Sequence, residues 1–365
     1  MNNRDDSRGG PGGTRSLEEL RKLSLLNRTP TAPRPEGSPS VTLPAVEAPS
    51  LEGVSVVEAG PVAPVTPRDI AERYEALRRE HTPRHERAAD EPVALEDEVL
   101  LDVVGFFNDR VLPFSAWEDW WARVAPDPLF PGFYESLVGV PVGKILRVDL
   151  RMSDDYAVPA MRGQLARFIA QVKAARVLTP TGREERELPA RVGVSSHEEL
   201  LRTLGERLLR ERQDEVARRT QERVMDALVD STPVRVPPAL VDEEVRRLWE
   251  GSERPILERK GISPERRQQA LEGWLSDPYT RGGVEYRIKL DMVLSAIARR
   301  EGLTPDRALM QKLLEELQTL SGVSREALGQ TVKADPALSA RLYGMALHLT
   351  TVQHVMKHVR VKPAA

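Results

Sequence analysis

Residues 129–156, LFPGFYESLVGVPVGKILRVDLRMSDDY, change their hydrophobic period partway through. Phe133 and Leu137 stand four apart and so share one face of a single helical turn. Gly139 follows as its stop, and Pro141-Val142-Gly143 reads as the turn that closes it. From Leu146 onward Leu146, Val148, Leu150 and Met152 alternate with Arg147, Asp149 and Arg151, the pattern of a strand with one buried and one wet face. The stretch therefore predicts a short helix capped against a sheet, and with it an α+β fold.

Working outward, the chain of 365 residues is too long for one ordinary domain, and its 40% hydrophobic content suffices for two or three cores. A net charge of -3 gives no general attraction to nucleic acid or to an acidic membrane surface, so neither is expected as a partner. The absence of cysteine excludes disulfides, thiol catalysis and thiolate metal sites. No run approaches the ~18 apolar residues of a membrane span. The opening MNNRDDSRGGPGG lacks the apolar core of a signal peptide, so a cytoplasmic location is expected.

Residues 1–38 are dominated by Gly, Pro, Ser and charge, and read as a disordered tail. Within it Ser16–Leu26, SLEELRKLSLL, carries a capping box of Ser16 with Glu19 and leucines at 17, 20, 23, 25 and 26. That segment is either a transient helix, since short helices are marginal alone, or a docking peptide for a partner surface. Residues 39–90 read as a separate N-terminal module of proline-broken extended pieces followed by a helix over 67–82, whose apolar face is Ile70, Tyr74 and Leu77.

A sheet domain is predicted over 92–180, opening with a strand at 98–104 and closing with one at 166–174, where Phe168, Ala170 and Val172 alternate with Arg167, Ile169 and Gln171. All six phenylalanines and three of the five tryptophans fall between Phe106 and Phe168. Large aromatics dominate the burial of small sheet domains, so these rings are core by default. The functional alternative is an aromatic-lined groove for a peptide proline.

Residues 185–361 read as helical throughout. Arg207–Arg223 interleaves Arg with Glu and Asp, which makes it a solvated helix face rather than a nucleic-acid patch. Leu290, Val293, Leu294 and Ile297 form one apolar stripe, and Met310, Leu313, Leu314, Leu317 and Leu320 another. A packed bundle is the plain reading; an open surface for other chains is the alternative, for which Met292, Met310, Met345 and Met356 would be suitably adaptable. His354 and His358 stand four apart without an adjacent Glu or an evident third ligand, so a solvated pair is favoured over a metal site. There is no Gly-rich phosphate loop and no Ser-His-Asp set. Neither ATP nor any other cofactor, nor a metal, is expected.

The order of these features resembles trigger factor, the bacterial ribosome-associated folding chaperone family with an isomerase domain of FKBP type. FPGFYESLVGVPVGK, an alternating strand and then DDY follow that family's isomerase pattern. Leu51, Gly53 and Val54 ahead of RDIAERYEALRREH match the end of its N-terminal domain. Leu228, Val229, Val234, Val236, Pro237, Leu240, Val241 and Glu244 match its C-terminal domain, and the resemblance runs in order over about 39–361. It implies a divergent, N-terminally truncated member: an FKBP-like twisted antiparallel sheet with a short helix, and a mainly helical chaperone domain with two arms and apolar patches for unfolded chains.

The resemblance further implies a proline pocket at Phe130, Phe133, Tyr156, Trp120 and Phe168. Such a pocket lowers the ~18–20 kcal/mol barrier to amide rotation without a nucleophile or metal. Two positions depart from the family: Val103 stands where an aromatic usually opens the pocket, and Leu112–Ser115 offers no acidic residue where one normally follows a Phe. The family's Gly-Phe-Arg-x-Gly-Lys ribosome-docking loop has no counterpart, so ribosome binding by that route is not expected. Three functions remain open: a peptidyl-prolyl isomerase, a holdase for unfolded or nascent chains whose FKBP-like domain only grips, and a dedicated adaptor or assembly factor docking through helix 16–26.

Overall fold

The computed structural model describes residues 44–127, 131–152, 154, 161–321 and 324–364. Ser16–Leu26 lies outside the described residues. The described chain forms two compact units, one of Val65–Leu208 with Asp242–Arg281, the other of residues 44–64 with Leu209–Val241 and the chain from Gly282 on.

In chain order the elements are β1 (Ser55–Val57), α1 (Pro67–His81), β2 (Arg84–Glu86), β3 (Glu98–Phe107), β4 (Arg110–Val111), β5 (Trp117–Arg123), a 3-10 turn (Glu135–Leu137), β6 (Ile145–Arg151) and β7 (Leu165–Leu178). Helices follow: α2 (Glu184–Arg191), α3 (His197–Ser231), α4 (Pro238–Gly251), α5 (Glu253–Arg259), α6 (Pro264–Ser276), α7 (Pro278–Arg300), α8 (Arg307–Ser321), α9 (Arg325–Ala334) and α10 (Pro336–His358). The predicted helical run to residue 361 instead ends in a strand, β8 (Arg360–Lys362), which pairs in parallel with β1. Among the described residues no helix is long and apolar enough to cross a membrane.

The first unit is built on an antiparallel sheet whose two central strands, β3 and β7, pair from Glu98↔Arg176 to Phe106↔Arg167. The far edge of β7 is shared by β6 and β2, and the far edge of β3 by β5 and β4. The alternation read from the sequence is realised: Val148 and Leu150 of β6, then Met152, and Ala166, Phe168, Ala170 and Val172 of β7, are buried on one face with Leu101 and Val103. Over that face lie Phe133 and Tyr134, just ahead of the 3-10 turn, and Leu137 within it, which close the core. Gly139 ends the turn at φ +83, in the left-handed region that a side chain disfavours.

The opposite face of this sheet is also covered. Val104, Val111 and Ala116 pack with Leu257 of α5 and Ala270 of α6, joined by Phe106, Ile256 and Ile262. Asp102 points to the same side, 4% exposed, where Lys260 and Lys173 meet its carboxylate and the Asp119 N–H donates to it at 2.9 Å. Elsewhere in the unit, Tyr74 of α1 packs on Leu188, Leu200 and Leu204 of α2 and α3, with Ile70 and Leu77 beside it, as the helical spacing predicts. Thr66 and Asp69 form a capping box at the start of α1.

In the second unit, Leu51 and Val54 are buried and the extended segment is fastened to helices: Ala59 N–H donates to Thr220 Oγ1 at 3.0 Å, and Arg300 donates to the carbonyls of Ala48 and Pro49 at 3.0 and 2.8 Å. Its core takes Val224 and Leu228 from α3, Val293, Leu294 and Ile297 from α7, and Leu342, Ala346 and Val355 from α10.

Candidate functional site

Three of the five expected pocket residues, Trp120, Phe133 and Phe168, are described; Phe130 and Tyr156 lie outside the described residues. Phe133 and Phe168 face each other with ring centroids 5.7 Å apart and planes at 70°. Tyr134, beside Phe133 at 5.2 Å, carries the contact on to Trp120 at 6.1 Å, and Trp120 meets Trp117 edge-on at 4.3 Å. Edge-to-face geometry of this kind suits the ring quadrupole. The rings thus form a continuous series from the buried Phe168 to Trp117, which is 36% exposed. Burial pushes the Tyr134 phenol up, so it stays a neutral O–H through the ordinary pH range. Tyr134 and Trp117 are not among the five positions that the resemblance implies; the backbone turn at 131–134 leading into the 3-10 turn brings Tyr134 inward beside Phe133.

The loop 112–116 joins this series from β4. Leu112 is buried in the same core. Ser115 Oγ accepts from the Gly105 N–H at 2.9 Å and lies 2.6 Å from the Leu112 carbonyl, to which it donates. A Cβ at Gly105 would come within 2.8 Å of Ser115 Cβ and 2.9 Å of Phe168 Cε1, so glycine is what allows loop and ring to close on β3. Phe114 holds φ +63, uncommon for an aromatic residue. Its ring lies 3.9 Å from that of Trp274 on α6, and its carbonyl accepts the Trp117 Nε1–H at 2.8 Å.

A carboxylate meets this loop, although none occurs within it. Glu253, the first residue of α5, is 3% exposed; its Oε1 accepts the Ser115 and Ala116 N–H groups at 3.2 Å each, and its Oε2 accepts the Trp274 Nε1–H at 2.6 Å. Successive N–H groups after a left-handed residue form an anion-binding concavity, and here the anion is a side chain of the same unit. Burial pushes the Glu253 carboxyl up, against the pull of these donors. The departure noted at Leu112–Ser115 is therefore accompanied by an acid brought from 138 residues away.

In the second unit Met292, Met310, Met345 and Met356 are each half-buried, neither sealed in the core nor fully in water. The rings of His354 and His358 stack at 4.1 Å; His354 Nε2 is 4.0 Å from Glu301, and burial lowers the His354 pKa. Among the described residues no three His, Cys, Asp or Glu side chains gather as a metal would need.

Residues 196–355 match the family model described as bacterial trigger factor protein C-terminus. The chain is 27% identical over 325 residues to a trigger factor of Halorhodospira halophila, covering 88% of this chain and 70% of that one. It is 23% identical over 301 residues to that of Sphingopyxis alaskensis, covering 82% and 55%. With that of Halothermothrix orenii it is 25% identical over 286 residues, covering 77% and 65%. The chain thus spans from 55% to 70% of the length of these relatives. A solved structure titled for substrate recognition in the folding and assembly activities of the trigger factor chaperone aligns over 82% of this chain and 70% of its own at 19% identity, with a TM-score of 0.34.

Proposed function

We propose, from its likeness to trigger factors and to the family model of their C-terminus, that the chain is an ATP-independent folding chaperone of the cytoplasm. It holds unfolded or nascent polypeptides on the helical surface of its C-terminal domain, residues 185–361, and grips prolyl segments on an FKBP-like domain over 92–180. The single observation that supports the holding function is the set of four half-buried methionines on helices of the C-terminal domain, three of them, Met292, Met310 and Met345, within the family-matched residues 196–355. A flexible, polarizable side chain at the boundary of the core can re-pack against many apolar sequences, which a holdase for unrelated clients needs.

For the FKBP-like domain, the support is the aromatic series from Phe168 to Trp117. A prolyl ring laid against such faces is desolvated, and a twisted amide is less conjugated and more easily accommodated in apolar surroundings than in water. Isomerase activity is the second reading. The 4 to 5% exposure of Phe133 and Phe168 favours a gripping site over one open for turnover, with Trp117 and Trp120 as the rings a peptide reaches first.

The test is aggregation of a chemically unfolded client diluted into buffer without nucleotide, with proline isomerisation of an Ala-Leu-Pro-Phe peptide followed by exchange NMR on the same samples. Suppressed aggregation that weakens when Met292, Met345 and Met356 are replaced by Gln, with the fold intact, is the expected result. A chain that leaves aggregation unchanged at several-fold excess would sink the holdase reading and leave the adaptor. Acceleration of the peptide by the wild-type chain would add the isomerase.

A further inference from the structure

The clamp on loop 112–116 comes from outside the sheet. Helices α5 and α6 lie within the family-matched C-terminal region, yet they pack on the outer face of the FKBP-like sheet through Leu257 and Ala270. They take hold of the loop at three points: Glu253 on the Ser115 and Ala116 N–H groups, Trp274 on the Phe114 ring, and Gly273 beneath Pro113, where a Cβ would stand 3.3 Å from Pro113 Cγ. Lys260 to Asp102, and Arg259 to Glu118 at 2.5 Å, tie the same helix to β3 and β5. From the other side, the loop supports the aromatic series through Leu112 in its core, through Ser115 bonded to Gly105 beside Phe168, and through Trp117 anchored on the Phe114 carbonyl.

We infer that Glu253 and Trp274 are positioning residues for the prolyl-peptide site: by fixing the backbone of 112–116 they set Leu112, Ser115 and Trp117 against the aromatic rings, so that the site's grip depends on the docked α5–α6 pair. This rests on the reading of that aromatic series as the peptide site. Free of the clamp, Phe114 has no reason to keep a left-handed backbone, and the loop relaxes toward conformations in which Ser115 no longer bonds Gly105. The carboxylate is suited to the role because hydrogen bonds to a charged acceptor are stronger than neutral ones and tolerate little displacement.

The experiment compares wild type, Glu253→Gln, Glu253→Ala and Trp274→Phe in the full chain. It reads the affinity for an Ala-Leu-Pro-Phe peptide, hydrogen exchange at the Ser115 and Ala116 amides, and thermal unfolding. Glu253→Ala is expected to weaken peptide binding by about tenfold or more, the size of losing charged hydrogen bonds, and to speed exchange at both amides. Trp274→Phe keeps an aromatic ring near Phe114 but removes the Nε1–H together with the pyrrole part of the indole, so it should fold, with some loss of packing, and bind severalfold more weakly than wild type. Glu253→Gln keeps one acceptor oxygen and should recover part of the affinity lost in the alanine variant. Faster amide exchange with wild-type affinity in the folded variants would overturn the positioning role while leaving the site itself standing. Wild-type chain that binds no peptide at all would overturn the site assignment and this inference with it. If Glu253→Ala does not fold, Trp274→Phe decides.

Discussion

Phe133 and Phe168 sit edge to face at 5.7 Å, 4% and 5% exposed, and each also belongs to the core under the 3-10 turn. The structural role of these two rings therefore overlaps with the binding role proposed for them. Phe133→Ala should cost about 3–5 kcal/mol, as deletion of a buried ring does, and this would be read as a lower midpoint in urea unfolding with an unchanged slope. A loss of peptide affinity in that variant would then follow from unfolding and say little about the site. Trp120→Leu, at a partly buried position, is the cleaner probe: it should reduce peptide affinity with less than half the stability loss of Phe133→Ala.

At Gly105 the constraint is steric rather than conformational. A methyl group there meets Ser115 Cβ and Phe168 Cε1 at 2.8 and 2.9 Å, distances that real Cβ atoms do not keep. Gly105→Ala should destabilise by about 1–3 kcal/mol, the range for overpacking a close-packed core. Ser115→Gly in the same chain would open space for the methyl, at the loss of the Ser115 Oγ hydrogen bonds. A double variant no more stable than Gly105→Ala alone would show that Phe168, not Ser115, is the obstacle. Chemical denaturation of the two single variants and the double variant gives the coupling.

How far this arrangement was legible depended on how local its causes are. The buried-exposed alternation of β6 and β7 and the Ile70, Tyr74, Leu77 stripe of α1 are written in the period of a few consecutive residues, and the structure keeps them. The covered outer face of the sheet is different. Val104 and Leu257 are each unremarkable apolar residues, and nothing in either segment says that they meet. Glu253 reads as an ordinary acid at a helix start, since its partners at Ser115 and Ala116 are backbone N–H groups, which leave no trace in residue identity. The pairing of β1 with β8 escaped for a related reason: three-residue strands are too short to show a period, and Val359–Lys362 continues the composition of α10.

Two buried carboxylates on the α5–α6 side should give stability opposite dependences on pH. Burial pushes Asp102 up, but the bonds from Lys260 and the Asp119 N–H, with the charges of Lys260 and Lys173, outweigh it and hold its pKa below the ordinary value. Its contribution is thus complete above the ordinary carboxylate range, near 4, and lost as pH falls through its lowered folded pKa. Glu253 has its pKa raised, mainly by burial, so the folded state takes up a proton more readily than the unfolded chain. Stability from that group rises as pH falls from its raised pKa toward about 4.5. Unfolding free energy measured from pH 7 down to 3 should lose its upper slope in Glu253→Gln and part of its acid collapse in Asp102→Asn. Superimposable profiles for wild type and Asp102→Asn below pH 5 would show that Lys260 contributes nothing across this contact.

Glu98 offers the sharpest stability test, because it is a buried anion between two part-buried cations. Its side chain is 8% exposed and accepts from Arg84 Nε and Nη2 at 2.8 and 3.2 Å and from Arg176 Nε at 2.8 Å. The Arg176 guanidinium lies 3.8 Å over the Trp121 ring, and among the described residues its Nη2 has no hydrogen-bond partner, so Glu98 carries most of its compensation. Burial raises the Glu98 pKa, but the two guanidinium bonds and charges win and leave it lowered. Glu98→Gln keeps the shape and removes the charge, leaving two desolvated guanidinium groups to face each other, which should cost about 3–5 kcal/mol. Replacing both cations as well, in an Arg84→Met, Glu98→Gln, Arg176→Met chain, should restore most of that loss, since an apolar cluster of similar volume is often no worse than a buried ionic one. Denaturation of the single and triple variants decides the matter: a triple variant as unstable as the single would mean that Glu98 matters through packing between β3 and β7 rather than through its charge.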